Sequence, residues 1–476
     1  MEKLIVNKIF NEKEGAWRQL CSSCLIFLHF TVSIILFSGV WKLFCCDERI
    51  FGMSWWGRDG IVLLVYMAVL YFLNQTYNAY LLGYCQVTRL IFSEFLAQIL
   101  AVSFIYAVVC IICCQLKSVL PFILLLIIQL CFDIAWAYGA TSFYLFIQPV
   151  RRCYLVYRNI QDRERLLSFK SSPVGKLYQI VNEIQYSGND FSEIQVCLIG
   201  AEALFIAGID SKCTNGLIKY CKEKAIPGFL LPHIGDVILR SAYHLPSLSL
   251  PVFYMGEEIM HPGYRCIKRI FDFTASLLGI ILLGPLMGVV AVVIRLYDGG
   301  PAIYRQTRLT RGGREFKIWK FRSMKVDAEK DGVARLSTGD CDPRITPIGR
   351  LVRKCRLDEL PQLFNILFGD MSFVGPRPER PEIAEQYYSS LPEFRLRLQV
   401  KAGLTGYAQV FGKYNTDPYE KLEFDLMYIN NMSLLTDLKL ILATVAILFL
   451  PSSTEGIRTG QTTALVKDIS KNDFQK

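Results

Sequence analysis

Four stretches nearly free of charge restrict this chain's fold more than any other feature. Residues 20–41, 60–88 and 95–116 contain no Asp, Glu, Lys or Arg, and residues 118–150 contain Asp133 alone. Each is long enough to supply the ~20 apolar residues that cross a bilayer core. With no water there, the backbone must satisfy its own hydrogen bonds, so each run is expected to be helical. Four crossings return the chain to its starting side. Lys3, Lys8, Lys13 and Arg18 precede the first run, and Arg151, Arg152 and Arg158 follow the fourth. The positive-inside rule puts both flanks in the cytoplasm. A removed signal peptide is not expected, because basic residues lead in and no small-residue cleavage site follows. Asp133 is assigned no role.

Composition agrees. Of 476 residues, 52% are hydrophobic and 20% charged, against about 25% charged in ordinary globular domains. Dominant disorder and a plainly soluble enzyme are both excluded. The formal charge of +10 favours anionic partners: headgroups, nucleotides or phosphorylated substrates. The 16 cysteines lie mostly in or beside the apolar runs. Cys21/Cys24 and Cys110/Cys113 form C-x-x-C pairs, but no second pair or histidine stands at metal-ligand spacing. They read as reduced thiols used as small hydrophobes, in a chain facing a reducing compartment.

From residue 151 to about 262 the texture becomes that of a soluble α/β segment. Residues 153–157 and 194–199 are expected to be short buried strands and residues 216–223 a helix, giving a small parallel-sheet domain. A working dinucleotide site needs glycines after the first strand, where backbone amides approach a pyrophosphate. Here Arg158, Asn159 and Ile160 stand instead, and Gly200 is alone after the second. A degenerate, structural Rossmann-like domain is expected.

The chemistry lies beyond residue 265. Residues 273–294 form a fifth uncharged stretch interrupted by Gly284 and Pro285, with Lys268 and Arg269 before it and Arg295, Arg305 and Arg308 after it. Positive charge on both flanks and a helix-breaking proline favour a helix–break–helix that enters and leaves by one leaflet. Residues 304–325 hold eight cations and one acid. Within them Phe316, Ile318, Trp319 and Phe321 suggest a strand after the Gly312-Gly313 turn, with Lys320 and Arg322 on one face to grip a diphosphate. Nucleic acid is excluded as a partner, because no recognised module is present and the patch adjoins a membrane segment.

Residues 351–368 place Leu357, Leu360, Leu363, Phe364 and Leu367 at helical spacing, predicting one amphipathic helix with Pro361 in its first turn. Asp358 and Glu359 would sit near that positive end among Arg350, Arg353, Lys354 and Arg356. In the next loop, Pro376 and Pro378 stiffen the backbone around Arg377, preparing its guanidinium for bidentate phosphate contact. No histidine follows His261, so a Ser-His-Asp triad or a histidine zinc site in this region is excluded. No Walker-type phosphate loop occurs, so ATP-driven chemistry is not expected. Carboxylates, cations and Mg²⁺ remain, a set suited to phosphoryl transfer.

The runs KFRSM (320–324), LDELPQ (357–362), Asn365, GDMS (369–372), VGPRP (374–378) and GLTG (403–406) resemble the bacterial sugar transferases, the monotopic polyprenyl-phosphate hexose-1-phosphate transferases. The layout is similar to the large undecaprenyl-phosphate galactose and glucose phosphotransferases. Ala402 and Tyr407 depart from the family's usual proline and tryptophan. The resemblance implies a membrane α plus α/β protein: four transmembrane helices (1–150), a Rossmann-like cytosolic domain (151–262), a monotopic catalytic domain with a re-entrant membrane helix (263–452) and a C-terminal tail (453–476). Residues 436–451 are expected to form an interfacial or core helix.

It further implies transfer of a hexose 1-phosphate, galactose or glucose favoured, from a UDP-sugar to undecaprenyl phosphate with release of UMP. That reaction starts exopolysaccharide, capsule or O-antigen synthesis. Asp358 would be the nucleophile, forming a phosphosugar–aspartyl intermediate, and Glu359 its assistant. Both acids would hold Mg²⁺, with Lys320, Arg322, Arg353, Arg377, Gln362 and Asn365 binding substrate or phosphate. The expected setting is a homodimer in the bacterial cytoplasmic membrane, its catalytic domain on the cytoplasmic face. Competing readings are a membrane-bound NAD-dependent nucleotide-sugar dehydratase or epimerase, a non-catalytic assembly scaffold, and a transferase releasing UDP.

Overall fold

The four charge-poor runs are largely helical, in α1 (Glu2–Phe44), α2 (Trp55–Tyr77), α3 (Val87–Cys113) and α4 (Leu120–Ile147), although residues 78–86 of the second run form turns. The computed structural model describes residues 2–44, 55–116, 118–188, 191–240, 242–244, 253–254, 262–325, 342, 344–412 and 417–448. Segments Leu20–Leu43, Gly60–Tyr77, Val87–Ile111 and Leu120–Ile147 are long and apolar enough to cross a membrane. α3 starts eight residues before the charge-free run, so it carries Arg89 and a fully buried Glu94. Small side chains let helices approach closely: Ala137 and Ala140 are buried with Leu82, Leu90 and Trp136. The Trp136 indole N–H donates to the Leu25 carbonyl at 3.2 Å, tying α4 to α1. Phe27, Ile111 and Phe146 are exposed on the outside, as expected of side chains that face lipid.

The chain divides into two compact units, Met1–Leu231 and Pro232–Lys476. The first also holds a parallel sheet in the order β2-β1-β3-β4, built from β1 (Arg151–Tyr157), β2 (Tyr178–Gln185), β3 (Ala203–Ala207) and β4 (Gly228–Leu230). Cys153 pairs with Ala203 and Arg151 with Tyr178. Helices α5 (Ile160–Leu167), α6 (Phe191–Cys197) and α7 (Ser211–Lys224) complete it. Val156, Leu204 and Ile206 face one core with Leu198 and Leu217, while Cys153, Leu155 and Phe205 face the other. A sheet covered on both faces explains the unbroken burial of β3.

One expected strand is a helix. Residues 194–199 fall in α6 and the turn after it, because Ile194 and Leu198, four apart, point inward while Val196 and Ile199 are exposed. The helical period outcompetes the alternating one. Gly200 then turns at φ +88° into β3. After β1, the Asn159 side chain accepts from the Asp162 N–H at 2.9 Å, closing the turn without a glycine loop.

The second unit begins with α8 (Ile234–Leu239) and a short antiparallel pair, β5 (Tyr243–His244) and β6 (Phe253–Tyr254). Next come α9 (Pro262–Asp298), β7 (Ile303–Leu309), β8 (Glu315–Phe321), α10 (Pro347–Lys354), α11 (Gln362–Phe368) and β9 (Met371–Val374). It ends with α12 (Pro381–Ser390), β10 (Ala402–Thr405), α13 (Tyr407–Phe411), α14 (Pro418–Ile429) and α15 (Leu434–Leu448). β7 and β8 form an antiparallel hairpin, whose turn uses Gly312 and Gly313 at φ +70° and +77°. β10 runs parallel to β9. α15 contributes Leu440 to the core around Tyr387, Phe394 and Leu426. The last positions of the expected 436–451 helix, and the tail 453–476, lie outside the described residues.

Two expectations for this unit are corrected. α9 runs unbroken through Pro285 rather than as two half-helices. A proline removes one N–H donor, and packing on both sides of it holds the helix: Ile280 and Leu283 rest on Phe316 and Ile318, while Met287, Val290 and Ile294 are buried against Phe321 and Val352. Its opposite face exposes Leu278, Ile281, Leu282 and Val289. The single helix expected over 351–368 is instead α10, a break and α11. Arg356 turns at φ +54°, Leu357–Glu359 form one 3₁₀ turn, and Pro361 precedes α11 because it cannot donate to a continuing helix.

Candidate active site

The break between α10 and α11 delivers the acidic pair. Thr346 caps α10 by accepting from the Gly349 N–H at 3.0 Å, and Pro347 occupies the first turn. Leu357 and Leu360 pack against the core of α9 and β8. With its flanking leucines anchored, the 3₁₀ turn holds Asp358 and Glu359 in place. Asp358 is 8% exposed.

Two cations from distant elements converge on one carboxylate oxygen. Lys320, on β8, places Nζ 3.0 Å from Glu359 Oε1, and Arg377 places Nη2 2.8 Å from the same atom. The Arg377 loop is pinned through its backbone. The Gly375 N–H donates to Thr405 O at 2.8 Å, the Gly403 N–H to Pro376 O at 2.9 Å, and Arg397 Nη2 to Arg377 O at 2.9 Å. Gly403 has to be glycine, since a Cβ there would lie 2.1 Å from the Gly375 nitrogen.

Charge is divided unequally within the pair. Burial opposes ionisation of Glu359, but Arg377 and Lys320 hold its carboxyl well below the usual range. Burial, and then the charge of Glu359, push Asp358 up, with Lys320, Arg353 and Arg356 pulling the other way. Burial also pushes Lys320 down, against the pull of Glu359. Glu359 is thus engaged by two cations, and among the described residues neither donates a hydrogen bond to Asp358. In its ionised form, a buried carboxylate free of such a donor is suited to nucleophilic attack. The donor set also fits Mg²⁺, which takes one or two carboxylates and completes its shell with water and substrate phosphate.

The other expected site residues divide. Arg353, on the last turn of α10, acts electrostatically on Asp358. Gln362 is 2% exposed at the start of α11, and its Nε2 is buried without a hydrogen-bond partner. Asn365 is engaged with backbone: its Oδ1 accepts from the Trp319 N–H at 2.9 Å and its Nδ2 donates to Lys317 O at 2.8 Å. Its amide fastens α11 to β8 and leaves little for a phosphate. Arg322 lies just past β8 with its guanidinium against Gly300, where a Cβ would be 1.9 Å from Nη1. Lys320 instead shares the Glu359 carboxylate with Arg377.

Sequence reasoning missed the network behind Arg377. Glu379 pairs with Lys421 at 2.9 Å and with Arg397 at 3.5 Å, and Arg397 pairs with Asp425 at 2.7 Å. Burial opposes it, yet Lys421 and Arg397 hold Glu379 down to about 2. These partners are up to 42 positions apart, Glu379 and Lys421 being the widest pair, and no local pattern links them.

The model for the family "Bacterial sugar transferase" matches residues 263–451. A UDP-glucose:undecaprenyl-phosphate glucose-1-phosphate transferase of Caulobacter vibrioides is 40% identical over 205 residues, 42% of this chain and 76% of that protein. This chain belongs to the bacterial sugar transferase family. A UDP-N-acetylgalactosamine-undecaprenyl-phosphate N-acetylgalactosaminephosphotransferase of Aeromonas hydrophila is 40% identical over 194 residues, 40% of this chain and 45% of that protein. An undecaprenyl-phosphate galactose phosphotransferase of Salmonella typhimurium is 38% identical over 248 residues, 46% of this chain and 51% of that protein. The chain thus spans about half the length of these last two relatives. The three family members are named for three different sugars.

Proposed function

We propose that this family member transfers a sugar 1-phosphate from a UDP-sugar to undecaprenyl phosphate, releasing UMP, as the first membrane step of exopolysaccharide, capsule or O-antigen synthesis. The convergence of Lys320 and Arg377 on Glu359, beside an Asp358 they do not bind, carries the reading. An Asp358 carboxylate oxygen attacks the phosphorus that bears the sugar. The bond from that phosphorus to the bridging oxygen breaks, and its electron pair leaves with UMP. A phosphate oxygen of the lipid then attacks the same phosphorus, and Asp358 departs as carboxylate. Lys320, Arg353 and Arg377 screen phosphate charge that would otherwise repel the nucleophile. Asp358, with Glu359, would hold Mg²⁺, which when bound supplies further screening.

The same reading places residues 1–150 as the membrane anchor, 151–262 as a cytosolic domain, 263–452 as the catalytic part and 453–476 as a tail. The site lies on the cytoplasmic face of a bacterial inner membrane, in a homodimer. α9, an unbroken helix long and apolar enough to cross a membrane, would turn its exposed apolar face toward lipid. Glucose and galactose are the favoured sugars, with N-acetylgalactosamine added by the relative that bears its name. The test is UMP release by the purified chain given undecaprenyl phosphate, Mg²⁺ and a panel of UDP-sugars. One sugar should give UMP, and Asp358→Asn should lower the rate by at least about 10³-fold. Release of UDP, a requirement for NAD, or undiminished turnover by Asp358→Asn defeats the proposal.

A further inference from the structure

Three of the apolar helices each carry a polar pair four residues apart: His29 and Ser33 on α1, Glu94 and Gln98 on α3, and Gln129 and Asp133 on α4. That spacing puts both members on one face of a helix, and all six are at most 1% exposed. The faces meet. His29 Nε2 lies 3.0 Å from Asp133 Oδ1 and 3.8 Å from Glu94 Oε2, and one ligand atom from each of the three residues falls within 4.8 Å of the others. Gln98 Nε2 donates to Asp133 Oδ1 at 3.0 Å. The imidazole is held between the Phe132 ring, stacked at 5.5 Å, and that of Trp136 at 4.5 Å.

The hydrogen-bond inventory here is lopsided. Among the described residues, both oxygens of Glu94, Asp133 Oδ2, Gln98 Oε1 and Gln129 Oε1 are buried acceptors without a donor, against a single unpartnered ring nitrogen, His29 Nδ1. Among the described residues neither acid is paired with a lysine or arginine. Ionisable side chains inside a membrane segment are costly, and each buried acceptor left unpaired adds about 1–3 kcal/mol. A surplus of acceptors around two acids calls for a cation.

We infer that the helical bundle holds a divalent transition-metal ion of the zinc class, bound by His29, Glu94 and Asp133. Two carboxylates and a neutral imidazole balance a 2+ charge, so the loaded site is electroneutral. An imidazole ligand favours zinc-like ions over Mg²⁺ and Ca²⁺, which prefer oxygen. Ligands about 2.0–2.1 Å from a tetrahedral metal lie ~3.3 Å apart; the two separations from His29 Nε2, 3.0 and 3.8 Å, bracket that value, and the two carboxylates lie within 4.8 Å of each other. Gln98 would orient Asp133 from outside the coordination shell. The ion would bolt α1, α3 and α4 together. None of this depends on the proposed transfer reaction.

The test uses the full chain in nanodiscs, stripped with a chelator, loaded with Zn²⁺ alone and freed of excess. Elemental analysis should find one zinc per chain in the wild type and a substoichiometric amount in Glu94→Gln and in His29→Gln. Zinc should also raise the unfolding temperature of the stripped wild type, a measurement that needs no variant to fold. Co²⁺ in place of zinc should give visible bands of a tetrahedral site without a thiolate charge-transfer band, setting the site apart from the cysteines. A wild type that retains no zinc, an unfolding temperature unmoved by it, full retention by Glu94→Gln, or a thiolate band would overturn the inference. The first two outcomes would instead leave protons to neutralise the cluster.

Discussion

Asp358 and Glu359 in the second unit, and Glu94 and Asp133 in the first, are two pairs of acids withdrawn from water, yet their surroundings are opposite. The first pair meets Lys320 and Arg377 on a single oxygen, with Arg353 and Arg356 nearby. The second meets one imidazole, the Gln98 amide donor and a surplus of side-chain acceptors, with no lysine or arginine among the described residues. Fixed cations beside a carboxylate neutralise it and can still attract a polyanion, whereas carboxylates among unpaired acceptors attract only a cation. Burial of acids is thus common to both sites, and the neighbours decide what each recruits.

The sharpest way to break that contrast is to neutralise one acid in each place. Glu359→Gln strips Lys320 and Arg377 of their shared partner. Loss of one member of a buried ion pair costs about 3–5 kcal/mol, and Lys320 and Glu359 are 21% and 13% exposed at the side chain. Thermal unfolding should therefore shift down by several degrees, and turnover should fall by roughly 10²-fold or more as the cations lose their alignment. Glu94→Gln should do the reverse in chelator: it removes a charge and supplies an amide donor among orphan acceptors, so unfolding should move up. With zinc present the wild type should regain the lead. Matching signs for the two substitutions in chelator would remove the distinction drawn between the sites.

Acidity separates members of the catalytic pair next. Burial raises Asp358, so its carboxylate, and with it turnover, should be lost as pH falls through a value above the ordinary aspartate range of about 3.9. Glu359 is held well below its usual value and stays ionised through that window. Stability follows the depressed groups: the contribution of Glu379 is fully present above about 4.3, its unfolded value, and is lost only as pH approaches about 2. A pH–rate profile should thus show its acid limb while unfolding, followed in parallel, remains unchanged. An acid limb that coincides with unfolding would assign it to the Glu379 network instead.

What could be read in advance followed from local physics. A charge-free run in hydrocarbon has to be a helix, and alternating apolar residues after a Gly-Gly turn suggest a strand, so α1–α4 and β8 were legible, whereas β7, its hairpin partner, was not. Asp358 and Glu359 drew attention as adjacent acids amid four cations, and Arg377 as an arginine stiffened by Pro376 and Pro378; their roles were only what the family resemblance implied. What failed depended on competition or on tertiary meeting. The leucine spacing over 351–368 continues across a position where Pro361 cannot donate and Arg356 adopts φ +54°. The membrane cluster was hidden because each run carries its polar pair alone. Asp133 looks isolated until His29 and Glu94 arrive from helices 104 and 39 positions away (133 − 29 and 133 − 94).

Asn365 gives the mildest and most discriminating case. It stands three residues beyond Gln362 in a motif rich in site residues, yet both ends of its amide are spent on the β8 backbone, at Trp319 N and Lys317 O. Asn365→Ala leaves that donor and acceptor buried, at about 1–3 kcal/mol each, and loosens the strand that carries Lys320. The expected result is a lower unfolding temperature with KM for the UDP-sugar changed less than about threefold, since no bond to substrate is lost. Gln362→Ala should act in the opposite sense, because its buried Nε2 has no protein partner to lose: unfolding little changed, KM raised. If Asn365→Ala instead raises KM and spares stability, the amide belongs to the substrate after all, and the positioning role assigned to it is wrong.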